Sequence, residues 1–271
     1  DYIFAYLSRI GKPIKQGFAG MSGRYYNVSL LIGPKTGKRF VIGVQYSPPS
    51  DLSQPWNPSG VATLLEAARV LGVNKDKLPT AVEFVAYATA GMAANGTLDM
   101  GSFHHAKALK DAQVDVALML ALRSVGYFRD EAGSQQYPFS FMSMLYPDTA
   151  DFISLSSRLN DFGSVRSVKQ SFSRVQGLSV ESVSAPEIFP LTGGSDHENY
   201  WSQDFPALQV SDLLKYRLPR EQVTKQDMPL DYQKMSGVVQ ALYQTAVDSE
   251  SDDKESNFFT ELVAPVTAVF E

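Results

Sequence analysis

The sequence has no cysteine and three histidines, His104, His105 and His197, in 271 residues. The missing thiols exclude disulfides, thiolate metal sites and cysteine nucleophiles, but they do not fix a compartment. The histidines restrict metal chemistry further. Neighbours on a helix point about 100° apart, so His104 and His105 cannot face one ion, and any metal site would lean on carboxylates. Long apolar runs are lacking too. The best candidate, Val114 to Leu122, is interrupted by Asp115 and is far too short to span a bilayer. Positive charge is in deficit, with a formal net charge of -5, which argues against nucleic acid as a partner. No leader segment is visible, yet a sequence starting at Asp1 also fits a trimmed mature chain, so export stays open.

Several motifs are also absent. There is no G-x-S-x-G elbow, P-loop, G-x-G-x-x-G or H-E-x-x-H. Ser195-Asp196-His197 holds the residue types of a hydrolase triad, but neighbours in sequence cannot adopt triad geometry.

What is present is an alternation of strand-like and helical runs. Tyr26 to Ile32 and Arg39 to Tyr46 flank the turn-rich Gly33-Pro34-Lys35-Thr36-Gly37, which predicts a hairpin. A helix follows, with Ser59 as N-cap, apolar residues at Val61, Leu64, Leu65, Ala68 and Leu71, and Gly72 as a stop. Ala81 to Tyr87 reads as a strand, a Gly/Ala/Asn-rich loop runs to Gly101, and His104 to Leu109 reads as helix. Val114 to Leu122 has the pattern of a central strand buried on both faces. Asp151 to Leu155 and Pro206 to Val210 are further strands. Helical periodicity returns at Val165, Val168, Phe172 and Val175, and again from Tyr232 to Ala246. The alternation predicts an α/β sheet covered on both faces, in a single domain over 1–271 because no linker divides the chain. The acidic run near 248–256 reads as a solvated loop. Beyond it, Phe258, Phe259, Leu262, Val263, Val266, Val269 and Phe270 require burial, on the domain's own sheet or on a partner.

Taken in order, the segments carry a resemblance. Tyr26-Asn27-Val28, Gly43-Val44-Gln45-Tyr46-Ser47 and Asn57-Pro58-Ser59-Gly60 are followed by Val82-Glu83-Phe84-Val85-Ala86-Tyr87. Then come Asp99-Met100-Gly101-Ser102 with His105-Ala106, similar to an "HMGS…HA" segment, and Val125 to Pro138, similar to "IGYFSDEPGSQRYP". Gly194-Ser195-Asp196-His197 with Pro206-Ala207 closes the set as "SDH…PA". The whole resembles the co-catalytic di-zinc aminopeptidases, whose superfamily includes glutaminyl cyclases and the non-peptidase ectodomains of transferrin receptor and nicastrin. The resemblance implies a three-layer α/β/α sandwich around a mixed, mostly parallel sheet.

It also implies what has been lost. Active members hold two zinc ions between two His and three acidic ligands, with a further Glu as general base. The first His falls on Gln45 and its orienting Asp on Ser47. The bridging Asp falls on Trp56, with Asn57 beside it. The paired glutamates fall on Ala90 and Gly91, and the remaining acid falls on Arg123; His197 alone survives. A neutral amide is a weak zinc ligand, and a permanently charged guanidinium repels a cation. The expectation is therefore a degenerate member with no catalytic residue, no metal and no cofactor. Its former site would be formed by Gln45, Ser47, Trp56, Asn57, Ala90, Gly91, Arg123, Asp196 and His197. Arg123 is expected to pair with Asp196 or Asp99, and a pocket of Trp56, Tyr46, Gln45 and Arg123 would suit a peptide terminus or small anion.

The expected role is a protein- or peptide-binding or structural module, periplasmic or extracellular as in the bacterial branch it resembles. Two alternatives remain. One is a hydrolase with a relocated metal site using Asp51, Asp99, Asp130, Glu131 and Asp196. The other is an assembly subunit docking through Phe258 to Phe270.

Overall fold

The computed structural model describes residues 2–20, 23–46, 57–89, 99–217 and 229–248. Among these residues, eight strands form one mixed sheet: β1 (Ile14–Gly20), β2 (Gly23–Ile32), β3 (Arg39–Gln45), β4 (Ala81–Tyr87), β5 (Val116–Leu122), β6 (Phe152–Ser157), β7 (Ser179–Ser184) and β8 (Ala207–Ser211). Their order is β1-β2-β4-β3-β5-β8-β6-β7. The central four, β4, β3, β5 and β8, run parallel, while β2 and β6 lie antiparallel to their inner neighbours.

Helices cover both faces. α1 (Tyr2–Leu7), α2 (Pro58–Val73), α4 (Phe162–Ser173) and α6 (Tyr232–Asp248) pack on one, and α3 (Gly101–Asp111) and α5 (His197–Trp201) on the other. Strand alternation splits the core accordingly. Phe40, Ile42, Val44, Val82, Phe84 and Ala86 join Leu64, Ala68, Leu71 and Leu242 on the first face. Val41, Val85, Tyr87, Met119 and Ala121 face α3 and α5 on the second.

The expected α/β/α sandwich is present, with four corrections to local expectations. β2 and β3 do not form a hairpin. β4 is buried at every residue and lies between them, paired antiparallel to β2 and parallel to β3. The cause is the β3–α2–β4 crossover, which lands β4 beside β3 in parallel. The hairpin is instead β1 with β2.

The cap of α2 is Asn57, whose side chain accepts from the Gly60 amide at 3.0 Å, with Pro58 at the first helical position. The Ser59 hydroxyl instead accepts from the Val125 amide. Gly72 does not stop α2, which runs on to Val73. A Cβ at Gly72 would collide with the Ile10 side chain, so this glycine allows a close approach. Asp248 belongs to α6 rather than to a loop and accepts from Ser171, Arg174 and Gln244. The rest of the acidic run and Phe258 to Phe270 lie outside the described residues. Among the described residues, no helix is long and apolar enough to cross a membrane.

A buried polar chain links the sheet to α3 and α5. Arg39 donates to Glu83 Oε2 at 2.8 Å, and His105 Nε2 donates to Glu83 Oε1 at 3.2 Å. His105 Nδ1 shares a hydrogen bond with the Tyr200 hydroxyl at 2.6 Å, and Tyr200 shares one with Tyr87 at 2.7 Å. Burial alone would raise the Glu83 carboxyl, but the attraction of His105 and Arg39 and their hydrogen bonds outweigh it and hold it at about 2. Because this pKa is depressed from 4.5, its contribution is present above pH 4.5 and is lost as the pH falls through about 2. The shift corresponds to about 3 kcal/mol. Urea unfolding at stepped pH should show Glu83→Gln less stable than wild type at neutral pH, with the gap closing across that acid window. A constant gap would show that the carboxylate charge is not the source of the effect.

Candidate functional site

Four parallel strands end together, and in open α/β sheets that edge is where ligands bind. β3 ends at Gln45, β4 at Tyr87, β5 just before Arg123 and β8 just before Asp212. Gln45, Asn57 and Arg123 therefore lie at this edge. Asp196 and His197 reach it from the start of α5. Ser47, Asp51, Trp56, Ala90 and Gly91 lie outside the described residues.

Each group is held by specific partners. Asn57 uses both ends of its amide, accepting from Gly60 and donating to the Leu122 carbonyl at 3.0 Å. It joins α2 to the end of β5. The partly buried Arg123 donates through a terminal nitrogen to the Gly194 carbonyl. Burial lowers the pKa of this guanidinium, and the charges of Asp196, Asp212 and Glu198 oppose that. Arg123 thus acts on Asp196 through space, without a direct ion pair among the described residues.

His197 is fully buried, and its Nε2–H donates to the Thr192 carbonyl at 2.6 Å. Burial, reinforced by the positive charge of Arg123, pushes its pKa down to about 4. Asp196 is 3% exposed. Burial raises its carboxyl to about 6 against the Ser102 hydrogen bond and the Arg123 charge. Asp196 Oδ1, His197 Nδ1 and Asn199 Oδ1 have no hydrogen-bond partner, three of the five such buried atoms among the described residues. The three fall within four consecutive residues at the start of α5.

These residues do not fit a pair of zinc ions. Gln45 offers a neutral amide, Asn57 is committed to backbone, and His197 has one nitrogen fixed on a carbonyl. Arg123 brings positive charge to the edge where the cations would lie. Among the described residues, no three His, Asp or Glu side chains converge as a metal site. His104 and His105 diverge as their spacing requires: His104 stacks on Phe18, while His105 faces Tyr200 and Glu83. Asp130 and Glu131 are exposed, with Glu131 paired to Arg129.

Sequence reasoning missed Asp212, Ser102 and Glu198. Asp212 accepts from the Ser124 hydroxyl and from the amides of Gly126, Tyr127 and Leu214, so it fixes the loop after β5. Its position directly after a parallel strand was the available signal. A separate groove of about 730 Å³ follows the seam of α2 and α6. Its arginines are already engaged, Arg69 with Glu66 and Arg174 with Asp248.

The strand order and the helices on both faces define a zinc-dependent exopeptidase fold. The Legionella pneumophila LapA aminopeptidase matches 92% of this chain with a TM-score of 0.65 at 16% identity, and this chain spans 60% of that protein. A Zn-dependent exopeptidase from Parabacteroides distasonis matches 92% of the chain at a TM-score of 0.63 and 14% identity, covering 88% of that protein. Porphyromonas gingivalis glutaminyl cyclase matches 91% at 0.62 and 16% identity, covering 87% of that protein. No family model matches the chain. In sequence it belongs to the family of the uncharacterized protein YfbL of Escherichia coli K12, at 38% identity over 231 residues, 80% of this chain and 69% of that protein.

Asp196 and His197 oppose each other in pH dependence. The raised Asp196 contributes stability that is complete below pH 3.8 and lost as the pH rises through about 6. The depressed His197 contributes stability that is complete above pH 6.5 and lost as the pH falls through about 4. Each is worth about 3 kcal/mol, so they offset one another between those limits. Relative to wild type, His197→Gln should lose stability as the pH rises through this interval, and Asp196→Asn should lose it as the pH falls. Slopes of the same sign in urea titrations would contradict the assignment.

Proposed function

We propose that this chain is a catalytically inactive aminopeptidase-like domain that serves as a protein- or peptide-binding or structural module outside the cytoplasm. The observation that carries this reading is Arg123, a fixed cation at the strand edge where the related fold places metal chemistry. The neighbouring groups add support. Gln45 and Asn57 cannot move a proton at neutral pH, and His197 is buried and neutral. A binding role draws support from a group of exposed apolar side chains elsewhere on the surface. Phe139 stacks on Phe141 at 5.8 Å and packs against Phe189 at 5.3 Å. Met144 is 81% exposed and Ile188 94%. Exposed apolar groups gathered in this way favour an interaction surface over a solvated one.

A second reading, a metal-dependent hydrolase with a partial or relocated site, is favoured by the orphaned Asp196 Oδ1 and His197 Nδ1. Metal analysis of the purified full chain and a panel of aminoacyl fluorogenic substrates separate the two. The inactive reading expects neither stoichiometric zinc nor turnover. Stoichiometric zinc, with turnover abolished by Asp196→Ala, would establish the hydrolase instead.

A further inference from the structure

We infer that Arg123 is a built-in counter-ion, supplying from the chain itself the positive charge that the carboxylates at this strand edge require. The inference rests on the inactive-site reading and goes beyond it by giving Arg123 a present role.

Asp196 is buried with one oxygen lacking any donor. A buried carboxylate in that state needs a nearby cation or is strongly destabilising. Arg123 is the cation that acts on it. Its placement is fixed by the same loop that delivers the acid. The Gly194 carbonyl accepts from Arg123, and the Gly194 amide donates to Glu198 Oε1 at 2.6 Å. The loop is therefore clamped from both sides two residues before Asp196. Gly194 has φ +90, a conformation that favours glycine.

The alternative use of such an arginine is to receive an anionic ligand. Charge decides against it. Asp196, Asp212 and Glu198 all act on the one guanidinium, so an added anion would compete with carboxylates the chain already supplies. Asp212 is already satisfied by four donors. The unmet demand lies with Asp196.

A double-mutant cycle on the full chain tests this, using Arg123→Met, Asp196→Asn and the pair, with thermal unfolding as readout. Arg123→Met keeps most of the side-chain bulk and should lower Tm by about 5–10 °C. Adding Asp196→Asn should restore at least half of the loss, and Arg123→Lys should fall between wild type and Arg123→Met. Millimolar guanidinium should raise the Tm of Arg123→Ala relative to the same concentration of sodium chloride, and leave wild type unmoved. If Arg123→Met alone does not fold, recovery of folding in the Asp196→Asn background gives the same answer. Arg123→Met as stable as wild type, or a double variant no better than Arg123→Met, would overturn the counter-ion. Zinc titration of wild type is the separate control: stoichiometric binding would overturn the inactive-site reading, whatever the cycle shows.

Discussion

The Glu83 carboxylate, buried in the middle of the sheet, is the constraint on which the rest of the second face depends. A charge there is tolerated only if several elements meet it. β3 supplies Arg39, α3 supplies His105, and through His105 the chain reaches Tyr200 of α5 and Tyr87 at the end of β4. Apolar packing alone would allow α3 and α5 to slide over the sheet. Directional hydrogen bonds fix their register. Tyr87 adds a steric condition, because its ring occupies the space above Gly43 that a Cβ would need. Since α5 begins at His197, the network also determines where Asp196 and His197 sit relative to Arg123. The candidate site inherits its geometry from a carboxylate well below it.

Much of the fold was legible because the decisive signals are local. A nearly continuous apolar run marked β5, and helical periodicity marked α2, α4 and α6. Strand order was not legible in the same way. Gly33 and Gly37 do have positive φ, as a turn would require, but whether that turn closes a hairpin depends on where β4 lands. That is settled by the crossover helix α2, which follows β3 in the chain. The edge strands β1 and β7 were missed for a related reason: Ile14 to Gly20 is largely exposed, and Ser179 to Ser184 is rich in polar residues, so neither shows a buried-strand pattern.

The site divides along similar lines. Gln45, Asn57, Arg123, Asp196 and His197 could be placed at strand ends and helix starts from the order of segments. Their partners could not, because hydrogen bonds such as Arg123 to Gly194 or Asn57 to Leu122 join residues far apart in sequence. The expected pairing of Arg123 shows the limit. Charge complementarity pointed to Asp196 or Asp99, and it could not reveal that the guanidinium makes its contact with the Gly194 carbonyl.

On the proposed reading, that carbonyl contact bears on why such a site persists after its chemistry has gone. A metal ion bound between carboxylates and imidazoles contributes to folding as well as to reaction, so its loss leaves buried charge uncompensated. Here His197 is neutral with one nitrogen on a carbonyl, and Arg123 supplies positive charge without exchange with solvent. Each change removes a dependence on an external ion. The strand edge would then be kept because the loops after β5 and before α5 still need a charged anchor. The pressure on these residues would be structural, acting on charge balance and loop position rather than on proton transfer.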